Sequence, residues 1–139
     1  MDEEESLRRY GLRPTAGDLA EIRTLLREHI ALERRSQGYG DTALMRLCCV
    51  QLFNRGTVDD ALLIWTAKRA SFDAGCSIDI HLLLGHGLDA TMTYLATHPS
   101  PEAAAALARL REDEAHGYFD DFTVETASAN EDGYYGRYS

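Results

Sequence analysis

The sequence predicts an all-α protein of about five to six helices, arranged as a compact bundle or a short array of antiparallel helix hairpins. Apolar residues recur at helical spacing over most of the 139 residues, and only 122–126 alternates apolar and polar side chains as a strand does. Capping residues and glycines separate the helical segments. These observations favour helices packed on helices, because every apolar stripe has to be covered.

The first two predicted helices are the clearest. The segment 18–36 places four apolar residues on one face, namely Leu19, Ile22, Leu26 and Ile30. The segment 42–55 is apolar on nearly all sides and stops before Gly56. A helix of that kind is usually central and buried, so we expect it to form the middle of the core.

The next part of the chain is predicted to be helical with interruptions. A third helix covers about 58–71, and 72–77 is a connection. The segment 78–97 contains Gly85 and Gly87, which indicates two short helices.

The last predicted helix covers about 101–116. Ser100 can cap it, and Pro101 occupies its first helical position, where proline is favoured. We therefore divide the chain into an acidic N-terminal extension at 1–17, a single helical domain at 18–116, and an acidic, Tyr-rich tail of irregular structure at 117–139.

The net charge of −9 is concentrated at the ends of the chain. Residues 112–139 hold eight acidic residues and one Arg, and residues 1–5 hold four acidic residues. The body, 6–111, holds 11 acidic and 13 basic residues. This argues against nucleic acid and anionic membranes as partners, because contact with phosphates needs a basic face. It favours a protein partner with a basic surface; the oligomeric state stays open.

No motif for catalysis, a cofactor or a metal stands out. Cys48 and Cys49 are adjacent, so they do not form a Cys-x-x-Cys metal pair, and three cysteines do not form a disulfide framework. His81 and His86 lie five residues apart and would not share a helix face. We expect no metal and no cofactor. The cysteine usage and the lack of a secretory signal or a long apolar run predict a cytoplasmic protein.

The stretch LLIWTAKRASFDAGCSID, 62–79, is the candidate site, because it contains the only Trp and the only Lys of the chain. Its candidate binding residues are Trp65, Lys68, Phe72, Asp73, Cys76 and Asp79. In one interpretation Trp65 and Phe72 are core, and Lys68 pairs with Asp73 or Asp79. In the other, Lys68 lies in a polar pocket and binds an anion or a partner's carboxylate.

Two resemblances involve the same region. Gly56, Asp60, Ala61, Trp65 and Ala67 recur 29 residues later as Gly85, Asp89, Ala90, Tyr94 and Ala96. This spacing resembles helix-hairpin repeats of the tetratricopeptide kind, which implies interlocking paired helices. A second pattern consists of Ala61–Lys68, Phe72-Asp73, Cys76, Ile78-Asp79, Leu82-Leu83, Gly85, Gly87-Leu88 and Tyr94-Leu95. Over about 42–96 this pattern resembles an uncharacterised bacterial all-α family. That resemblance implies no activity.

The tail combines aromatic and acidic residues, which suits recognition of a basic protein surface. We expect Phe119 and Phe122, together with Tyr118, to dock on the helices and 128–139 to point outward. The candidate partner contacts are Tyr118, Asp120, Asp121, Tyr134, Tyr135 and Tyr138.

The sequence therefore leaves two functions open. The first is a non-enzymatic helical module for protein binding, in its sharper form an immunity or antitoxin-type inhibitor of a basic bacterial partner. The alternative is a small-ligand-binding protein or small enzyme with a pocket around Lys68, Asp73, Cys76 and Asp79. A deep cavity in which Lys68 has no acidic partner favours the alternative; Lys68 held over Trp65 by an Asp favours the first.

Overall fold

The computed structural model describes residues 1–136, and this part of the chain is all-helical. Two short 3-10 helices cover Ala16–Asp18 and Ile80–Leu84. The α-helices are α1 (Glu3–Tyr10), α2 (Leu19–Arg35), α3 (Thr42–Arg55), α4 (Asp60–Lys68), α5 (Phe72–Ser77), α6 (Leu88–Thr97), α7 (Pro101–Ala115) and α8 (Val124–Gly136). The all-α prediction is confirmed, but about five to six helices is too few for the described residues.

The additional helices lie outside the segments that the sequence predicts as helical. Helix α1 lies within the expected N-terminal extension, and the six-residue α5 replaces the expected connection at 72–77. Helix α8 replaces the alternating pattern at 122–126 and most of the expected irregular tail, so that prediction is not confirmed. No helix between residues 1 and 136 has both the length and the apolar character that crossing a membrane requires.

Helix α3 is the centre of the core, as its all-round apolar sequence predicts. It contacts α1, α2, α4, α5 and the 3-10 helix at Ile80–Leu84. Gly85 shows how closely that 3-10 helix approaches, because a Cβ atom added there would lie 2.4 Å from the backbone oxygen of Phe53. The residues that follow the 62–79 stretch are therefore held directly on α3.

The N-terminal segment is fastened to the same core. The buried amide of Gln51 in α3 donates from Nε2 to the Ser6 hydroxyl at 3.2 Å and to the Gly11 carbonyl at 2.9 Å. The Tyr10 hydroxyl donates to the Glu21 carboxylate at 2.5 Å, which links α1 to α2. Residues 3–10 thus contribute buried side chains to the helical domain.

Two buried carboxylates organise the connections between helices. Glu33 accepts hydrogen bonds from the backbone N–H of Gly38 and Gly40 and from the Ser71 hydroxyl. Asp60 accepts from the Nε and Nη2 atoms of Arg23, both at 2.8 Å, and from the backbone of Thr57. Each carboxylate therefore ties one chain turn to a distant helix.

These contacts set the pKa values of the two groups. Burial by itself raises the pKa of a carboxyl group, but the hydrogen bonds to Glu33 outweigh it, so its pKa is lowered from an ordinary 4.5. Burial also acts on Asp60, where the hydrogen bonds from Arg23 and Thr57 lower the pKa below an ordinary 3.8. Both groups bind protons more weakly in the folded than in the unfolded state.

We expect the free energy of unfolding to fall as the pH drops through these ordinary pKa values and then through the lower folded-state values. At pH values above the ordinary pKa values, both carboxylates contribute their full stabilisation to the fold. Glu33→Gln should cost about 1–3 kcal/mol at pH 7, because it removes a charged acceptor of three hydrogen bonds, and should flatten the acid side of the profile. Urea unfolding between pH 2 and pH 7 measures both effects.

The exposed Glu28 on the same helix provides the control, since Glu28→Gln should leave the profile unchanged. An unaltered acid limb in Glu33→Gln would mean that Glu33 does not contribute to acid unfolding.

Candidate functional site

A cavity of about 660 Å³ lies between the body of the protein and its C-terminal segment. The body contributes Lys68 from α4, residues next to and within the 3-10 helix, and Arg109 and Asp113 from α7. The connection between α7 and α8 and the first turns of α8 cover the other side. The volume falls within the range of small-molecule sites, which is roughly 300–1,000 Å³.

Lys68 is held at this cavity by backbone carbonyls. Its Nζ donates to the Gly75 oxygen at 2.7 Å and to the Ile78 oxygen at 2.6 Å, both at the C-terminal end of α5. A compact ammonium with three donors can join two carbonyls in this way, which a planar guanidinium does less readily. The expected pair with Asp73 or Asp79 is wrong: neither carboxylate lies within 4 Å of Nζ.

The charged groups around Lys68 are partly neutralised by one another. The Nε of Arg109 donates to Asp113 at 2.8 Å, one turn along α7. Asp79 lies 3.7 Å from the guanidinium of Arg46 on α3. Burial lowers the pKa of Lys68 below its ordinary 10.5, and the nearby charge of Arg109 lowers it further. Two cations thus line one cavity, and no carboxylate of residues 1–136 pairs directly with Lys68.

Aromatic side chains form part of the opposite lining. Phe119 is buried and Phe122 is half-buried, with an edge-to-face ring contact at a centroid distance of 6.4 Å. His81 lies 6.4 Å from the ring of Phe122. The cavity therefore combines charged groups at the body with an apolar surface on the covering segment, the pattern expected of a ligand site.

A cluster of metal-ligand residue types lies next to the cavity, but an arginine already pairs with two of its three members. Donor atoms of Asp79, His81 and Glu131 lie within 4.8 Å of one another. Arg46 donates to both carboxylate oxygens of Glu131 at 2.8 Å and to the Tyr135 hydroxyl at 2.9 Å. A metal ion would have to displace this bidentate guanidinium, so the geometry favours a structural ion pair.

The structure separates the predicted site residues. Lys68 and Asp79 line the cavity, whereas Trp65 is buried beside Arg34 and Arg69 at a smaller cavity of about 210 Å³. Phe72 is 77% exposed because α4 ends at Lys68 and α5 begins a new helix direction, so its assignment to the core is wrong. Asp73 and Cys76 are exposed and line neither cavity.

The predicted tail contacts are separated in the same way. Asp120, Asp121 and Tyr118 are exposed, and Tyr118 does not dock on the helices as expected. Tyr135 is buried, and Tyr134 has its ring 4.8 Å from Arg46, so the C-terminal helix packs on its own chain rather than pointing outward. The remaining contact, Tyr138, lies outside the described residues.

Sequence reasoning missed most of the cavity. It did not assign a site role to His81, Arg109, Asp113, Phe119 or Phe122, which come from three separate parts of the chain. One signal was available: Arg109 and Asp113 are spaced i, i+4, where a helical ion pair forms. Nothing local in the sequence shows that this pair faces Lys68.

Replacing Lys68 with alanine should lower the free energy of unfolding by about 1–3 kcal/mol, because the carbonyls of Gly75 and Ile78 lose a charged donor. Lys68→Arg should cost less but not be neutral. Urea denaturation followed by circular dichroism measures the change. Arg111→Ala is the control: this exposed residue makes no ion pair within residues 1–136. A wild-type midpoint for Lys68→Ala would show that the two hydrogen bonds contribute nothing to stability.

No family model matches this chain, and neither the curated proteins nor the solved structures contain a match. The resemblances described from the sequence therefore stay predictions, and the function has to be inferred from the residues themselves.

Proposed function

We propose that this protein binds a protein partner with a basic surface and performs no catalysis of its own; the cavity at which Lys68 donates to carbonyls rather than to a carboxylate supports ligand binding as a second activity. The proposed contact is the acidic surface, defined as Glu112, Glu114, Tyr118, Asp120, Asp121 and Glu125. These residues follow one another from the end of α7 to the first turn of α8.

The single observation that supports this proposal is the unpaired charge of the acidic surface. All five of its carboxylates are exposed, and none forms a salt bridge with another described residue. Elsewhere the chain pairs its acidic groups when they pack: Asp113, in the middle of this segment, is buried against Arg109. Five uncompensated carboxylates favour association with a basic surface and speed the encounter.

Tyr118, which lies between these acidic residues in sequence, adds contact area. Its side chain is 72% exposed, although a tyrosine ring could bury a large area. Exposed tyrosines are enriched at interfaces because they offer both an apolar ring and a hydrogen-bonding hydroxyl. An acidic surface with such an anchor suits an inhibitor of a basic protein, and the sharper form of the proposal is an immunity or antitoxin-type inhibitor.

The test compares the native chain with a variant that carries Glu112→Gln, Glu114→Gln and Asp120→Asn. Partners are captured from a lysate of the source organism, identified, purified and measured by calorimetry at low and high salt. We expect a partner with a basic surface whose affinity falls with salt and falls at least about tenfold in the variant.

The control variant neutralises three exposed acids elsewhere, with Glu4→Gln, Glu28→Gln and Asp89→Asn. It changes the net charge by the same amount and should bind as the native chain does. If both variants lost the same affinity for the partner, total charge alone would explain the loss. That result would reject the acidic surface as the contact.

A further inference from the structure

The cavity beside Lys68 holds one cation and one carboxylate that form no ion pair with any residue between 1 and 136. Arg109 pairs with Asp113, and Asp79 lies against Arg46. Lys68 meets only carbonyl oxygens, while Asp121 on the covering segment makes no ion pair with any residue of 1–136.

The free donors at the body favour a carboxylate. Two of the three N–H groups of Lys68 go to the Gly75 and Ile78 carbonyls, which leaves one. Arg109 uses Nε for Asp113, which leaves its two terminal nitrogens. The pKa of Lys68 is lowered first by burial and then by the charge of Arg109, and an incoming carboxylate would reduce the repulsion between these two cations.

The cavity does not favour a simple anion, because the lining also contains acidic groups. Lys68 and Arg109 supply two positive charges, whereas Asp79, Asp113 and Asp121 supply three negative ones. A multiply charged anion such as phosphate would meet net repulsion. A ligand that carries both signs of charge satisfies Lys68 at one group and Asp121 at the other.

The rest of the cavity lining favours a ligand that has an apolar part between its two charged groups. Phe119, Phe122 and Ile80 offer apolar surface, and the rings of the two phenylalanines can also receive an ammonium group on their faces. A volume of about 660 Å³ is large enough for a free amino acid or for a dipeptide.

We propose that this cavity binds a small zwitterion with an apolar body, of the amino-acid or dipeptide class. Its carboxylate lies at Lys68 and Arg109, its ammonium lies at Asp121, and its side chain packs on Phe119 and Phe122. The cavity shares Asp121 and Tyr118 with the acidic surface, but its carboxylate contacts, Lys68 and Arg109, come from α4 and α7 and are not part of that surface.

The test is calorimetry on the isolated full chain with phenylalanine, leucine and the dipeptide leucylphenylalanine as probes. N-acetylphenylalanine lacks the ammonium, and phenylalaninamide lacks the carboxylate. We expect a zwitterion to bind, and each blocked form to bind at least about tenfold more weakly, because a charge-assisted hydrogen bond is lost. Comparing the free amino acids with the dipeptide shows which ligand length the cavity prefers.

Asp121→Asn assigns the ammonium contact. This exposed residue should tolerate the change without loss of stability. We expect the variant to bind the zwitterion about as weakly as the native chain binds the N-acetyl form, while Asp120→Asn, which alters an exposed neighbour outside the cavity, binds normally.

The proposal is overturned if the folded protein binds none of the three zwitterions, or if a blocked form binds as tightly as its parent. Partner binding is read separately with Glu112→Gln and Glu114→Gln, neither of which lines the cavity. A native chain that binds zwitterions but no basic partner, or a basic partner but no zwitterion, therefore identifies which proposal fails.

Discussion

Replacing Arg46 with alanine is expected to lower the free energy of unfolding by about 3–5 kcal/mol. Arg46 is 14% exposed and Glu131 is 6% exposed at their side chains, so the substitution leaves a buried carboxylate without its bidentate partner. The Tyr135 hydroxyl and the ring of Tyr134 lose their contacts with the guanidinium as well. Thermal unfolding should show a fall of roughly 10–20 °C at this chain length.

Arg13 provides the matched control for Arg46. It also makes a bidentate pair with the C-terminal helix, at 2.9 and 3.0 Å from Asp132, but both side chains are more than 40% exposed. Arg13→Ala should therefore cost about 1 kcal/mol or less. If both substitutions cost the same, burial would not be what makes the Arg46 pair important.

Replacing both members of the buried pair shows how much of the stability lost in Arg46→Ala comes from leaving one buried charge without a partner. Arg46→Met combined with Glu131→Met should recover much of the stability lost in Arg46→Ala, because no buried charge remains. This double variant also tests whether the C-terminal helix needs the ion pair for its position.

Ending the chain at Thr123 is expected to lower the free energy of unfolding by at least about 3 kcal/mol, because it removes α8. The deletion exposes the surface that Tyr135 and Ala127 cover, and burial of one large side chain is worth about 1.5–3 kcal/mol. It also removes Glu131 from Arg46. Calorimetric melting of the full and shortened chains measures the loss.

Two point substitutions within α8 show where that loss comes from. Tyr135 is 2% exposed and Tyr134 is 41% exposed, so Tyr135→Ala should account for much more of it than Tyr134→Ala. A shortened chain that melts with the native protein would restore the initial prediction of an outward-pointing tail and would contradict the packing of α8.

The helices that could be predicted are those whose residues are strongly apolar or whose ends are marked by cap residues, Pro or Gly. Helix α3 begins and ends at the predicted residues, and α7 follows the predicted Ser100 cap and Pro101 start within one residue at its end. The serine hydroxyl accepts from the Ala103 N–H at 3.1 Å, as a cap does.

Helix α8 could not be predicted from its own residues, because its sequence has no apolar face. What holds it is a set of long-range polar contacts: Arg13 with Asp132, Asn54 with Ser128, and Arg46 with Glu131. Pairings of that sort leave no periodic signal, since each partner lies more than 70 residues away. For this reason the sequence predicts an irregular tail with 128–139 pointing outward instead of a packed helix.

Only the part of the candidate site that is close together in sequence could be predicted, because long-range packing leaves no local signal. A lone Lys in an Arg-rich chain pointed to Lys68, and Asp79 lay close enough in sequence to be considered with it. Arg109 and Phe122 reach the same cavity only through the packing of α7 and of the covering segment, which depends on the whole fold. Local spacing had placed Phe72 beside Trp65, but the helix ends between them.

The burial of two cysteines gives the protein a built-in position for a spectroscopic label. Burial raises the pKa of the Cys48 thiol to about 12 and that of Cys49 well above its usual value, whereas Cys76 is exposed. A thiol-directed dye at neutral pH should therefore attach to Cys76 alone in the folded chain. Trp65, the only tryptophan of the chain, is buried in α4, the helix before the one that contains Cys76. It can serve as the donor for energy transfer to the dye. Opening of the α4–α5 junction could then be followed in the otherwise unaltered protein.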